Sequence, residues 1–247
     1  MRAPGKASLS SKPEAWTELA LTLPVFLVYQ LGVVFLRVRN GADIVTARLL
    51  ELSHGDRLTY LELTAGIGLV TIAVFAILGR GQVLRPGKLV QIALEGAAYA
   101  IAMGAATSWL VGRLFAGPHP APASGPLSGL VMSLGAGFYE ELAFRVVLFG
   151  FGAKLLLWAV WRQRVGLVAS TPPLRTGAIM TMTIWAAASA SIFSGMHYVG
   201  ALGDPFNLRS FVARAVLGLA LTGVYAMRGF AAAVWTHTLY DVWVLVL

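Results

Sequence analysis

Residues 135–145 read Gly-Ala-Gly-Phe-Tyr-Glu-Glu-Leu-Ala-Phe-Arg and place two adjacent carboxylates and a guanidinium inside an otherwise apolar stretch. A charged side chain near the centre of a membrane helix costs at least about 2.5 kcal/mol, so this group indicates a compensating structure or a function. Glu141 and Arg145 are four residues apart with the acid first, an order that favours an ion pair on one helix face. Glu140 lies about 100° away around the helix. We therefore predict that Arg145 pairs with Glu141 and that Glu140 is available as a general base.

The composition of the whole chain is that of an integral membrane protein. Its 247 residues are 57% hydrophobic and 12% charged, with a mean hydropathy of +0.74, whereas soluble domains carry about 25% charged residues. The net charge of +8 comes from Lys and Arg between the apolar runs and not from one basic face, so we expect no nucleic-acid partner. Cysteine is absent from the sequence, which excludes disulfides and thiolate chemistry.

Apolar runs long enough to cross a bilayer core of about 30 Å recur along the sequence. They predict an all-α integral membrane protein, a bundle of about seven to eight transmembrane helices with an intramembrane polar cavity. The fifth run is short and is expected to lie partly in the interface as a re-entrant or elbow helix. The predicted helices cover residues 15–36, 60–79, 89–116, 127–150, 151–163, 175–197, 208–227 and 229–247.

The segments between these runs predict the organisation of the chain. Residues 37–59 mix charged and apolar side chains, a pattern typical of an amphipathic surface helix. Residues 117–126 form an uncharged proline-rich loop in which no helix could persist. We divide one membrane domain into N-terminal helices with their connecting segments, 1–126, and a helical core that carries the polar motifs, 127–247.

The basic residues outside the apolar runs predict how the chain lies in the membrane. Lys and Arg cluster in the polar N-terminus and in the 80–88 and 162–175 loops, which we expect on the cytoplasmic side. The first apolar run has no small-residue cleavage site behind it, so we expect a retained span and not a cleaved signal peptide. The richness in Ala, Gly and Arg suggests the cytoplasmic membrane of a bacterium.

Two of the four histidines lie in or at the ends of later apolar runs, far in sequence from the glutamate pair. Phe193 precedes His197 by four residues, so its ring is expected to pack along the imidazole. His237 precedes Asp241 by four residues, so both side chains point the same way from the last helix. Three helices could thus bring a free carboxylate, two imidazoles and Asp241 to one interior point. Such groups can activate a water and stabilise an oxyanion, as peptide hydrolysis requires.

Three motifs occur in a fixed order on these hydrophobic helices: Glu-Glu-x-x-x-Arg at 140–145, Phe-x-x-x-His at 193–197 and His-x-x-x-Asp at 237–241. Together they resemble the motifs of the CAAX-protease and bacteriocin-processing family of intramembrane glutamic proteases, which includes the Ras-converting enzyme. The resemblance covers roughly residues 127–247. It implies an endopeptidase that works without a metal or other cofactor on a membrane-anchored protein or peptide in the lipid bilayer.

The resemblance also implies roles for individual residues. Glu140 and His197 would activate the attacking water, and His237 with the residue at 241 would hold the oxyanion. The supporting residues would be Glu141, Arg145 and Phe193. The best-studied members carry Asn where this chain has Asp241, and a carboxyl donates a hydrogen bond only when it is protonated. Asp241 therefore is a protonated donor, orients His237 instead, or marks a variant site.

Other functions fit parts of the same pattern. A proton-coupled transporter also uses Glu and His inside the membrane, although the sequence shows no inverted repeat. A metalloprotease could bind zinc through Glu140, His197, His237 and Asp241, although no His-Glu-x-x-His motif is present, and chelator sensitivity would separate this function. A non-catalytic immunity or scaffolding protein on the same fold would keep its function without Glu140.

Overall fold

The computed structural model of the chain describes residues 14–36, 38–78, 80, 85–115, 125–162, 175–200 and 203–247. Sequence predictions for the basic N-terminus, for most of the 117–126 loop and for most of the 162–175 loop lie outside these residues. Within the described residues the secondary structure is helical, without strands, and the predicted all-α membrane architecture is confirmed.

Helices of very different length make up the described part of the chain. In order they are α1 (Ala15–Leu36), α2 (Ile44–Leu52), α3 (Arg57–Leu78), α4 (Pro86–Leu114), α5 (Pro126–Gly135), a π-helical segment (Ala136–Phe151), α6 (Gly152–Trp161), α7 (Thr176–Met196), α8 (Leu208–Arg228) and α9 (Phe230–Leu245). The π-helical segment joins α5 and α6 without a break, so these three elements form one long helix.

Six helices in the described ranges are long and apolar enough to cross a membrane. They are Trp16–Leu36, Arg57–Ile77, Pro86–Leu114, Pro126–Trp161, Thr176–Met196 and Leu208–Arg228. The last predicted span, 229–247, corresponds to α9, which has 16 residues and is shorter than the ~20 that a bilayer core requires. The chain is an integral, multi-pass membrane protein.

The elbow predicted for residues 151–163 is wrong. Phe151 has φ −70° and ψ −43°, which are ordinary helical angles, and the helix continues to Trp161. The glycines on either side of Phe151 allow bulky neighbours to pack against the helix. A Cβ on Gly150 would lie 2.9 Å from the hydroxyl of Tyr225, and one on Gly152 would lie 2.8 Å from Trp185. One face of this segment therefore packs against the neighbouring helices, with Ala153 and Leu157 buried, and its glycines serve close approach and not a bend.

The surface helix predicted over residues 37–59 is also much shorter than expected. It is limited to α2, which has nine residues and begins after Asp43, whose side chain accepts a hydrogen bond from the backbone N of Thr46. This bond is a normal helix N-cap. Before α2 the chain turns inward, so that Asn40 and Asp43 are only 5% and 2% exposed.

α9 lies at the centre of the bundle, where it contacts α1, α4, α5, the π-helical segment and α8. Its first turn carries three consecutive alanines, residues 231–233, and all three are fully buried. Small residues let neighbouring helices approach closely inside a membrane. Gly96 of α4 has the same effect, because a Cβ there would lie 2.9 Å from Trp235. This packing places the middle of α9, and His237 with it, in the interior.

Candidate active site

The π-helical segment carries Glu140, Glu141 and Arg145, the charged residues of the Glu-Glu-x-x-x-Arg motif. π-helical turns are rare and occur frequently at functional sites. The sequence prediction assumed α-helical periodicity, yet the predicted ion pair is present: Nη1 of Arg145 lies 3.0 Å from Oε1 of Glu141. Both side chains are almost completely buried, with 1% and 0% exposure.

Glu141 also holds the histidine of α9. Its Oε1 lies 2.7 Å from Nδ1 of His237. An ionised carboxylate can only accept hydrogen bonds, so Nδ1 of His237 carries a proton and donates it to Glu141. Nε2, the other nitrogen of the His237 ring, is left to face the rest of the site.

The guanidinium of Arg145 has further partners. Its Cζ lies 4.2 Å from the centre of the Phe193 ring, and its Nη2 donates to the carbonyl oxygen of Gly218 at 3.4 Å. A cation over an aromatic face is attracted by the ring quadrupole, most strongly where water is excluded. Phe193 in turn packs edge to face with both imidazoles, at centroid distances of 5.0 Å from His197 and 6.1 Å from His237.

Glu140 faces both imidazoles with one of its two oxygens. Oε2 lies 3.8 Å from Nε2 of His197 and 3.9 Å from Nε2 of His237. These distances are too long for direct hydrogen bonds but suit a water between the groups. Among the described residues, none donates a hydrogen bond to this oxygen.

His197 follows directly after the last residue of α7, and its ring orientation is fixed by the helix end. Its Nδ1 lies 3.0 Å from the carbonyl oxygen of Phe193. A carbonyl oxygen can only accept, so Nδ1 donates, and in the neutral ring Nε2 presents a lone pair toward Glu140. The His197 side chain is 26% exposed, compared with 10% for Glu140, so the site is more open on the His197 side.

Asp241 completes the group on α9. Its Oδ2 lies 3.6 Å from Nε2 of His237, one helical turn away, and its side chain is 18% exposed. The structure thus brings together the four residues that the sequence singled out for catalysis, which are Glu140, His197, His237 and Asp241. In the described ranges, no set of three or more His, Asp or Glu side chains has an arrangement that could hold a metal ion.

One residue of the site carries no sequence motif. Asn40 lies between α1 and α2, and its Nδ2 donates to Oε1 of Glu140 at 2.8 Å. The Asn-Gly pair at residues 40–41 indicates only a turn. Because the contact joins residues 100 positions apart, no local pattern could have predicted it.

The family comparison covers the part of the chain that holds these motifs. Residues 122–243 match the family model described as type II CAAX prenyl endopeptidase Rce1-like. This stretch, just under half of the chain, is similar to the Rce1-like family. The match includes the π-helical segment and the motifs on α7 and α9, whereas Asn40 lies before it. The match supports a CAAX-type membrane protease at the family level. No curated protein and no solved structure matches the chain.

Close packing at Gly135 and Gly137 sets how near the helix that carries Glu140 lies to α1 and α9. A Cβ on Gly137 would collide with the side chain of Thr238 and would lie 2.9 Å from the carbonyl oxygen of Val234. A Cβ on Gly135 would collide with the ring of Tyr29. The π-helical segment therefore touches α9 where only glycine fits.

Gly137→Ala is expected to destabilise the protein by about 1–3 kcal/mol, because the added methyl forces the π-helical segment away from α9. Gly112→Ala on α4 is the matched control, since a Cβ there meets nothing within 4 Å, and it should stabilise the helix by up to about 1 kcal/mol. Thermal unfolding in detergent measures both changes. Equal melting temperatures for Gly137→Ala and the wild type would contradict the packing described here.

Proposed function

We propose that the protein is an intramembrane glutamic endopeptidase that hydrolyses a peptide bond in a membrane-associated protein or peptide without a metal ion. The observation that carries the proposal is the position of Glu140, whose Oε2 lies 3.8 Å from Nε2 of His197 and 3.9 Å from Nε2 of His237. A carboxylate and an imidazole can share one water, and a second imidazole faces the same point. Side chains alone then supply both a base and an oxyanion donor.

The water is activated by two acceptors. Nε2 of neutral His197 and Oε2 of Glu140 each accept one hydrogen bond from it, so that its lone pair is directed at the substrate carbonyl carbon. As the carbon–oxygen bond forms, the water proton moves to Glu140. Burial helps because the base acts in a site that excludes competing bulk water.

The oxyanion is stabilised from the opposite side by His237. Its Nδ1 proton is held by Glu141, so Nε2 can donate to the oxyanion only when the ring is an imidazolium. The neighbouring carboxylates of Glu141 and Asp241 stabilise that positive charge. When the tetrahedral intermediate breaks down, Glu140 gives its proton to the leaving nitrogen and the carbon–nitrogen bond breaks. One water is consumed, and a carboxylic acid and an amine are formed.

The most exposed side chains of the site indicate where substrate approaches. His197 and Asp241 are 26% and 18% exposed, whereas His237 is only 6% exposed. The peptide bond of a membrane-anchored substrate would enter past the two more exposed residues and meet the buried ones.

The richness in Ala, Gly and Arg supports the cytoplasmic membrane of a bacterium as the location of the protein.

A comparison of membrane proteomes tests this function and identifies the substrate. Cells that produce the wild type or the Glu140→Gln variant at equal levels are compared by mass spectrometry for new peptide termini in the membrane fraction. We expect at least one membrane-anchored protein or peptide with a terminus that depends on the wild type. The peptide that spans this bond is called the reporter peptide below. Identical sets of termini would contradict the proposal.

Asp241→Asn is expected to lower activity near neutral pH about 10-fold, because the substitution removes a negative charge that stabilises the imidazolium form of His237. The loss should be smaller at lower pH, where the imidazolium forms without that help. The measurement is kcat for the reporter peptide as a function of pH. Full activity with an optimum extended upward would instead show that Asp241 acts as a protonated donor to the oxyanion.

A further inference from the structure

A network of buried polar side chains connects the N-terminal helices to Glu140. Its members come from α1, the α1–α2 connection, α2, α3 and the π-helical segment, and each is at most 5% exposed: Tyr29, Gln30, Asn40, Asp43, Thr46, Tyr60 and Tyr139. All but Tyr139 lie before the residues that match the Rce1-like family. Such a network is unusual in the apolar core of a membrane protein, where each polar group requires a partner.

The hydrogen bonds of Asn40 leave its side-chain amide only one orientation. Its backbone N donates to the hydroxyl of Tyr29 at 2.9 Å. Its Oδ1 accepts from the backbone N of Ala42 at 2.8 Å. Because Oδ1 is committed to an acceptor role, the group that faces Glu140 must be the Nδ2 donor, and the 2.8 Å contact to Oε1 is a hydrogen bond to a carboxylate.

The remaining bonds fix the backbone that carries Asn40. Tyr29 donates to Oδ2 of Asp43 at 2.7 Å, and Asp43 caps α2 through Oδ1. Gln30 donates to the hydroxyl of Tyr139 and accepts from the hydroxyl of Tyr60. Tyr139 directly precedes Glu140, so the network ties the α1–α2 connection to the backbone next to the catalytic carboxylate.

We propose that Asn40 is a positioning residue for Glu140, an inference that rests on the proposed function. The terminal torsion of a glutamate is broad, so the helix backbone alone does not decide which way its carboxylate plane points. The bond from Asn40 to Oε1 fixes that plane and turns Oε2 toward His197 and His237. The first helices of the chain therefore complete the active site, although the family motifs all lie in the C-terminal half.

Two variants test the role of Asn40 by different means. Asn40→Asp keeps the size and the acceptor for Ala42 but replaces the donor to Glu140 with an oxygen, and Asn40→Ala removes the amide. Both are reconstituted in phospholipid vesicles and assayed with the reporter peptide. We expect kcat to fall by at least about 10-fold with KM within about twofold of the wild type, because the base is misdirected while substrate binding is unchanged.

Ser133→Ala is the matched control. It removes a fully buried hydroxyl that donates to the carbonyl oxygen of Gly129 at 2.8 Å, outside the network and without a hydrogen bond to Glu140. We expect a lower melting temperature and a kcat within about twofold of the wild type. An equal fall of kcat in Ser133→Ala would overturn the inference, because the effect would then be general destabilisation.

Glu140→Gln, assayed in parallel, separates this inference from the proposed function. If Glu140→Gln is inactive and the Asn40 variants keep wild-type kcat, the inference is wrong and the proposed function stands. If Glu140→Gln itself is active, the proposed function is wrong and the inference fails with it.

Discussion

Glu140→Gln is expected to lower the rate of peptide-bond hydrolysis by at least about 10²-fold, the scale of general-base contributions. Glutamine keeps the size of the side chain and can still accept the hydrogen bond from Asn40, but it cannot take a proton from water. The measurement is kcat for the reporter peptide with equal amounts of folded protein in phospholipid vesicles.

Glu95→Gln is the control for this loss. Glu95 lies in α4 and belongs to another Glu–Arg pair, in which its Oε2 lies 2.7 Å from Nε of Arg228. It makes no contact with the two imidazoles of the site, so its substitution should leave kcat within about twofold of the wild type. Glu140→Gln protein that turns over the reporter peptide at the wild-type rate would show that the base is assigned wrongly.

Glu141→Gln is expected to reduce the stability of the protein and not only its rate. The substitution leaves Arg145, which is 1% exposed, without its carboxylate and weakens the acceptor for Nδ1 of His237. Removing one partner of a buried ion pair costs about 3–5 kcal/mol, a large part of the ~5–15 kcal/mol by which folded proteins are stable. The yield of folded protein and its unfolding temperature should both fall.

Glu95→Gln again provides the comparison. It breaks a similar pair, but the side chains of Arg228 and Glu95 are 8% and 24% exposed, so the arginine that remains is less deeply buried than Arg145. We expect a smaller fall in unfolding temperature than for Glu141→Gln. The same unfolding temperature for Glu141→Gln and the wild type would contradict a structural role for the buried pair.

Contacts between residues four apart could be predicted from the sequence. The pair of Glu141 with Arg145, the packing of Phe193 on His197 and the proximity of His237 to Asp241 each depend only on the geometry of one helix. The long apolar runs likewise predicted membrane helices, because the length that a bilayer requires is set by its thickness.

Contacts between distant residues could not be predicted in this way. Glu141 and His237 are 96 residues apart, and Asn40 and Glu140 are 100 residues apart. Both contacts depend on how α1 and α9 pack against the π-helical segment. Asn40 in particular lies in a mixed-charge stretch whose composition is typical of a surface, yet hydrogen bonds to Tyr29 and Glu140 make its burial favourable.

The type of helix was also predicted wrongly where the hydrophobic pattern fits more than one helical period. The π-helical segment is apolar on most sides, so its hydrophobic pattern does not distinguish an α-helix from a π-helix. The elbow was predicted because the apolar run at residues 151–163 is short, whereas in the structure this run continues the helix that precedes it. Gly150 and Gly152 accommodate Tyr225 and Trp185, which are distant in sequence, so no local pattern indicated this packing.

A single turnover in water labelled with heavy oxygen tests the central claim most directly, that Glu140 activates a water that attacks the peptide bond. Purified wild-type protein in excess cleaves the reporter peptide, and mass spectrometry locates the label. Direct attack predicts one heavy oxygen in the new carboxylate of the product and none in the protein. An unlabelled product carboxylate, with the label at Glu140 instead, would show that the glutamate attacks the substrate itself and would contradict the account.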